Sequence, residues 1–292
     1  MTTGSSTRRR TSPLSASQRA RLAGEPPAGS PWDLPIDEAP VVFVDLEMTG
    51  LDASVDRVIE VCMERVRGTV TEESLTTLVR PDDGRHGNEH IHHIGVADLA
   101  DAPLFAAIAD QVRAIIDGAV LVAHGASYDV AFIEAELARL GSPLSIPHHL
   151  DTLTLSRRVY GFRSHALGAL CEELGISVTR CHRAADDVRT LRRVFEAVVR
   201  ELKPRTMRDL WHVKVGKRIA RPGVLDELES AVASGAPVRV RYRPSGKPPV
   251  DLVLVVTSVQ RDLDPPHVLG YLLPGRGRRE LRADRILSVS PP

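Results

Sequence analysis

The chain has 292 residues, 42% of them hydrophobic and 26% charged, with a formal net charge of zero. That length suggests two domains, and the composition is ordinary for a soluble globular protein. No stretch approaches the ~20 apolar residues of a membrane span, and Cys62, Cys171 and Cys181 form no CxxC pair, which argues against a disulfide framework or a thiolate zinc site and for a reducing cytoplasm.

The charge is unevenly spread. Residues 41–200 carry 16 Lys/Arg against 24 Asp/Glu, a net of −8, while residues 201–292 carry 17 against 10, a net of +7. An acidic body with a basic appendage suggests carboxylate-rich chemistry on one side and a surface suited to a polyanion on the other.

Residues 1–39, rich in Ser, Pro, Gly and Arg, predict a disordered lead-in; "RRR" at 8–10 is not followed by an apolar stretch, so no signal peptide is read there. Trp32 is expected to anchor this lead-in. "VVFVDLEMTG" (41–50) is apolar on both faces, as an interior strand of a helix-covered sheet is. It ends in Asp45 and Glu47, which share a face with Val41 and Phe43. Two carboxylates that close repel, and each tends to take up a proton unless a cation sits between them.

"DRVIEVCMERVRGTVTEESLTTLVRP" predicts two further strands joined by a turn near Gly68. Residues 95–118 have helical periodicity, "AVLVAH" (119–124) predicts a short interior strand, and "SYDVAFIEAELARLG" predicts a helix with Val130, Ile133, Leu137 and Leu140 on one stripe. "HALGALCEELGI" and "AADDVRTLRRVFEAVVREL" predict two more helices. Strands first, then strand and helix in alternation, imply a mixed α/β sheet. From about 203 the texture changes: 203–221 reads as a basic linker, and 222–292 as a short helix followed by strand-like runs between Gly/Pro turns, a small β-rich module.

Further acids converge on the first pair. Asp129, in the first turn of the helix after "AVLVAH", leans toward that helix's buried stripe; taken alone it also fits as a charge complementing the helix dipole. Asp187 lies on one helical face with Leu191, Val194 and Val198, whereas Asp186 aligns with Thr190 and Arg193 and looks outward. A carboxylate on an apolar stripe is costly unless paired or metal-bound, so Asp187 is the acid assigned to the site. His182 precedes that helix, in a loop free to swing over a site. Among the other histidines, His165 is expected to pack or cap its helix, His124 to orient the segment after its strand, and His92 and His93 to sit in a polar loop.

Together, Asp45-x-Glu47 in "DLEMTG", Asp129 in "HGASYD", and His182 with Asp187 in "HRAADD" resemble the three motifs of the DEDDh (DnaQ-like) 3′-to-5′ exonucleases. "IHHIG" (91–95) resembles that family's spacer, and "DTLTLSRR" with "SHALGALCEELGI" the stretch before its third motif. The likeness covers about 40–202. It implies a ribonuclease H-like mixed sheet flanked by helices and two Mg²⁺ or Mn²⁺ ions on Asp45, Glu47, Asp129 and Asp187. In that scheme His182 takes the proton from the attacking water. The backbone around Met48 and Thr49 would cradle the terminal nucleotide, and Tyr128, where the family has Phe, keeps an aromatic face. Gly125 stands where the family commonly has Asn, which puts one substrate-side hydrogen bond in doubt.

The expected activity is hydrolysis of single-stranded DNA or RNA to nucleoside 5′-monophosphates, in the cytoplasm, with single-stranded nucleic acid and the replication or repair machinery as partners. The other reading is a non-catalytic nucleic-acid-binding or ligand-sensing regulator on a nuclease fold. Residues 222–292 are similar to the WYL domain, with Gly270-Tyr271-Leu272 in place of its naming triplet. That likeness implies phosphate contacts from Arg239, Arg241, Arg243, Arg276, Arg278, Arg279 and Arg282, against the plain alternative of a solvated basic surface.

Overall fold

The structure, a computed structural model, describes residues 24–177, 184–215, 220–221, 223–244, 247–263, 265–275 and 277–292. His182, Cys181 and Arg276 lie outside the described residues. Strand β1 (Pro40–Met48) is the middle of a five-stranded mixed sheet with the order β3-β2-β1-β4-β5. It pairs antiparallel with β2 (Val58–Arg67), which pairs antiparallel with β3 (Val70–Leu78). On its other side it runs parallel to β4 (Val120–Ala123), followed by β5 (His149–Asp151). Between β3 and β4 come α1 (Glu89–His92) and α2 (Phe105–Ile116); α3 (Ser127–Arg139) follows β4. After β5 come α4 (Thr152–Val159), α5 (Leu167–Leu174) and α6 (Ala184–Leu202). This is the mixed α/β sheet that the alternation of patterns implies, in the ribonuclease H-like form that the resemblance implies.

Because β1 is apolar on both faces, it serves two cores. Val42, Val44 and Leu46 pack with α2 and α3, while Val41 and Phe43 pack with α4 and α6. Phe43 meets Phe195 edge to face with centroids 5.4 Å apart. Phe195 lies two turns after Asp187, so this contact fixes the distance of α6's first turn from the end of β1. Helix α2 is shorter than its periodicity predicts, because Pro103 disfavours helical geometry at the residue before it, and 95–104 form turns instead.

Parts of two stretches, one read as a disordered lead-in and the other as a basic linker, are built into the α/β unit. From residue 24 the lead-in is packed: Trp32 is buried, Pro35 bridges Thr206, and Arg208 reaches the carbonyls of Pro26 and Pro27. The basic segment after 202 contains α7 (Met207–Val215), whose Met207, Leu210 and Trp211 are fully buried beside Trp32. Each such side chain contributes roughly 1.5–3 kcal/mol of burial, far more than solvated arginines offset. The fold of the α/β unit therefore includes α7.

The C-terminal module is a second five-stranded sheet, order β10-β6-β7-β8-β9, entirely antiparallel. Its strands are β6 (Pro237–Tyr242), β7 (Val250–Gln260), β8 (His267–Leu272), β9 (Arg278–Arg282) and β10 (Ile286–Ser290). Helix α8 (Val224–Ser234) covers one face through Val224, Leu228 and Ala231. At Gly270 a Cβ would fall 2.5 Å from the Val255 carbonyl oxygen, so the close approach of β7 and β8 excludes a side chain there. Among the described residues no helix is long and apolar enough to cross a membrane.

Candidate active site

The carboxyl end of β1 carries Asp45 and Glu47 on the face turned to α6, and a β-bulge at Glu47/Met48 re-aims the strand where it leaves the sheet. Helix α6 brings Asp187 to them. One carboxylate oxygen from each of Asp45, Glu47 and Asp187 lies within 4.8 Å of the others. Asp186, one residue earlier, points away and pairs with Arg189 at 2.7 Å.

Asp129 comes from the first turn of α3, is buried, and accepts hydrogen bonds from its own backbone N–H and that of Leu46. It is not one of the three tightest ligands, yet its charge is the strongest of those repelling Asp45. Burial, followed by the charges of Asp129, Asp187, Glu47 and Glu60, pushes the Asp45 carboxyl well above the usual carboxylate range. Burial likewise pushes Asp129 up to about 7, against its two backbone hydrogen bonds and with help from nearby Asp151.

Glu60 carries no motif that marks it in the sequence. It is buried, and the strand register sets it directly opposite Glu47. The available signal was a lone Glu inside the apolar run "VIEVCM". Asp151 is a second acid of this kind: it caps α4 at the Leu153 N–H, accepts from Gly125 N–H at 2.9 Å and from the Thr154 hydroxyl at 2.7 Å. Its carboxylate thus holds the β4–α3 turn that delivers Asp129.

The expected substrate-side residues are differently placed. Tyr128 is 42% exposed on the rim beside Asp129. Met48 packs partly against the core on the α2–α3 side. Thr49 is buried, its N–H donates to the Arg57 carbonyl, and its hydroxyl is engaged by Asp56 and the Arg57 N–H. Gly125 adopts φ +85°, with open space where a side chain would stand.

Arg57 is buried and makes a two-pronged pair with Glu136, Nε to Oε1 at 2.8 Å and Nη2 to Oε2 at 2.9 Å, and also binds Asp82. Glu136 stands two turns after Asp129 on α3, so the pair ties that helix to the strand opposite Glu47. His92, expected in a polar loop, is buried: its Nε2–H donates to the Gly87 carbonyl at 2.7 Å while Nδ1 accepts from the Ile94 N–H. Acceptance at Nδ1 requires the neutral ring, and burial lowers its pKa accordingly. His124 hydrogen-bonds the His165 carbonyl and the Thr152 hydroxyl, bracing the end of β4.

Four acids drawn together from β1, α3 and α6, with hard oxygen donors and raised protonation at Asp45 and Asp129, fit a divalent cation. The family model described as Exonuclease (RNase_T) matches residues 42–195, which is more than half of the chain. The chain belongs to this exonuclease family. PolC-type DNA polymerase III of Staphylococcus haemolyticus is 31% identical over 184 residues, 62% of the chain and 13% of the polymerase. The Staphylococcus aureus counterpart is 30% identical over 202 residues, 68% and 14%. The chain therefore spans about one-seventh of these relatives. Among solved structures, a zinc-bound complex of Escherichia coli exonuclease I with single-stranded DNA aligns with TM-score 0.52 at 17% identity, covering 80% of this chain and 54% of that one. Another exonuclease I structure aligns at 0.51 over 87% of this chain and 65% of that one, at 14% identity. The likeness in fold thus runs beyond the catalytic unit into the C-terminal sheet. The family match is to an exonuclease domain, and it occupies residues 42–195.

The raised carboxyls set a pH dependence. A carboxyl whose pKa is about 7 in the folded chain and ~3.9 unfolded contributes stability that is fully present below about pH 4 and lost as pH rises through 7. Without divalent ions the melting temperature is expected to fall between about pH 5 and pH 8, a window above the titration of surface acids such as Glu72, which Arg67 and Arg65 hold low. Adding Mg²⁺ or Mn²⁺ should raise it more at the upper end than at the lower. A calorimetric scan at both pH values checks this, and an ion effect equal at both would contradict it.

Proposed function

We propose that this member of the exonuclease family is a divalent-metal-dependent 3′-to-5′ exonuclease, acting on single-stranded DNA or RNA and releasing nucleoside 5′-monophosphates. The observation that carries the reading is the triad of carboxylate oxygens within 4.8 Å on Asp45, Glu47 and Asp187, with Asp129 buried beside it. Asp45, Glu47, Asp129 and Asp187 would hold two Mg²⁺ or Mn²⁺ ions. When bound, such ions lower the pKa of water and neutralise charge developing on the phosphate. Asp151 and the Arg57–Glu136 pair keep the β4–α3 turn and α3 in register, which orients Asp129. His182, five residues before Asp187, is the base assigned to accept the proton of the attacking water, a task suited to a near-neutral pKa. Tyr128 offers a ring on the rim against which a terminal base can stack, and the Met48–Thr49 backbone forms the adjoining wall.

The bound state named for the exonuclease I structure and the replicative polymerase relatives favour single-stranded DNA as the first substrate to try, and the replication or repair machinery as the setting. The deciding experiment incubates 5′-labelled DNA and RNA oligonucleotides with the protein in Mg²⁺, Mn²⁺ or chelator. A ladder descending one nucleotide at a time, only with metal, is expected. Failure of both metals to shorten either strand would leave the non-catalytic nucleic-acid-binding or regulatory reading.

A further inference from the structure

Two arginines at the junction between the catalytic unit and the C-terminal sheet are each anchored by one hydrogen bond and left with a buried donor to spare. Arg243, just past β6, donates Nη2–H to the Tyr160 carbonyl at 2.7 Å, and its backbone N–H donates to the Arg285 carbonyl. Its Nη1 is buried with no hydrogen-bond partner among the described residues. Arg221 donates Nη1–H to the Ile286 carbonyl at 2.7 Å, and its Nε is buried and unpartnered in the same way. Buried N–H groups without acceptors are rare in folded proteins, and an unpaired guanidinium donor is rarer still.

The surroundings add positive charge. Burial depresses the Arg243 pKa, followed by repulsion from Arg158 and Arg285; burial pushes Arg221 down to about 10, against attraction from Glu201 and with Arg243 and Arg241 repelling it. Glu201 and Asp284 stand nearby, but Glu201 pairs with Arg241 at 3.5 Å and Asp284 with Arg282 at 2.7 Å. Like charges drawn together from α4, β6 and the turn before β10 are held against their own repulsion, which a bound anion would relieve.

We propose that Arg158, Arg221, Arg243 and Arg285 form a phosphate-binding junction that grips the nucleic-acid backbone on the 5′ side of the strand end held at Asp45, Glu47, Asp129 and Asp187. Position selects a strand over a free ion. Helix α4 runs from Asp151, beside Asp129, to Arg158 and Tyr160, and its eight residues span ~12 Å. That path is a few nucleotides of stacked strand, and fewer when the strand is extended. The loop from Tyr160 returns to the site, where the His165 carbonyl accepts from His124. A strand leaving the carboxylates along this path meets the arginines, and the C-terminal residues 201–292 carry a net of +7.

The inference rests on the nuclease reading, so its test is run where no catalysis occurs. Anisotropy of 5′-labelled thymidine oligonucleotides of about four and about sixteen nucleotides, the range of single-strand sites, is measured in chelator on the full chain. The wild type is expected to bind the longer strand about ten-fold more tightly. Arg158→Ala, at an exposed position, and Arg243→Lys, which keeps the charge but loses the fork, should each shrink that advantage. Arg158→Ala should also reduce the slope of log affinity against log salt by roughly 0.7 for the phosphate no longer neutralised, whereas Arg243→Lys, which keeps its charge, should leave that slope in place. If Arg243→Lys fails to fold, Arg158→Ala alone carries the test. An unchanged length dependence in both variants, or an unchanged salt slope in Arg158→Ala, would overturn the proposal. So would a site that inorganic phosphate or thymidine monophosphate saturates equally well without any length effect. Absence of metal-dependent shortening, measured separately, bears on the nuclease reading and leaves this binding result standing.

Discussion

Replacing Asp187 by alanine is expected to lower the metal-dependent rate of strand shortening by about 10³-fold or more, because a ligand holding a catalytic ion is worth several kcal/mol of transition-state stabilisation. The loss should come without unfolding. Asp187 raises the Asp45 carboxyl by repulsion, so its removal relieves strain in the metal-free chain, and the melting temperature above neutral pH should hold or rise. The neighbouring Asp186→Ala gives the contrast: that carboxylate faces outward to an exposed Arg189, a pair worth at most about 1 kcal/mol, and its loss should leave turnover near the wild-type value. Equal losses in the two variants, measured in one assay with one metal, would remove the distinction between the two faces of α6 on which the site rests.

Arg57→Ala is expected to destabilise the fold by about 3–5 kcal/mol, the penalty for leaving a buried carboxylate without its partner. The stranded group is Glu136, whose side chain is 2% exposed; Arg139 also reaches it, at 3.3 Å, but from the partly exposed side. Urea unfolding measures the loss. Glu136→Leu combined with Arg57→Met should recover much of it, since replacing both members of a buried pair with apolar side chains of similar volume is often neutral or better. Activity should not recover in parallel, because the pair ties α3, and with it Asp129, to the strand bearing Glu60. A double variant restored in both stability and rate would show that the pair only fills space.

The parts of the fold that were legible in the sequence were those in which one segment carries its own pattern. Strand β1 announces itself as apolar on both faces and closed by two acids, and α6 as a stripe that contains one carboxylate and excludes its neighbour. What stayed hidden depended on register between segments. Glu60 belongs with the acids only because β2 pairs Glu60 with Glu47, and the Arg57–Glu136 pair joins residues 79 positions apart. Strand β5 is three residues long, too short to show a period. Helix α7 was hidden for another reason: Met207, Leu210 and Trp211 have helical spacing, i, i+3 and i+4, but lie among lysines and arginines that suggest a solvated connector.

The burial of Trp211 bears on how the two halves of the molecule can move. With α7 fixed into the catalytic core through Val215 and α8 beginning at Val224, only residues 216–223 separate the two bodies. Even fully stretched, eight residues reach no more than about 29 Å. Within that reach Arg243 and Arg241 fasten the C-terminal sheet to Tyr160 and Glu201, so a variant that loses either contact keeps the two halves at high local concentration for docking again.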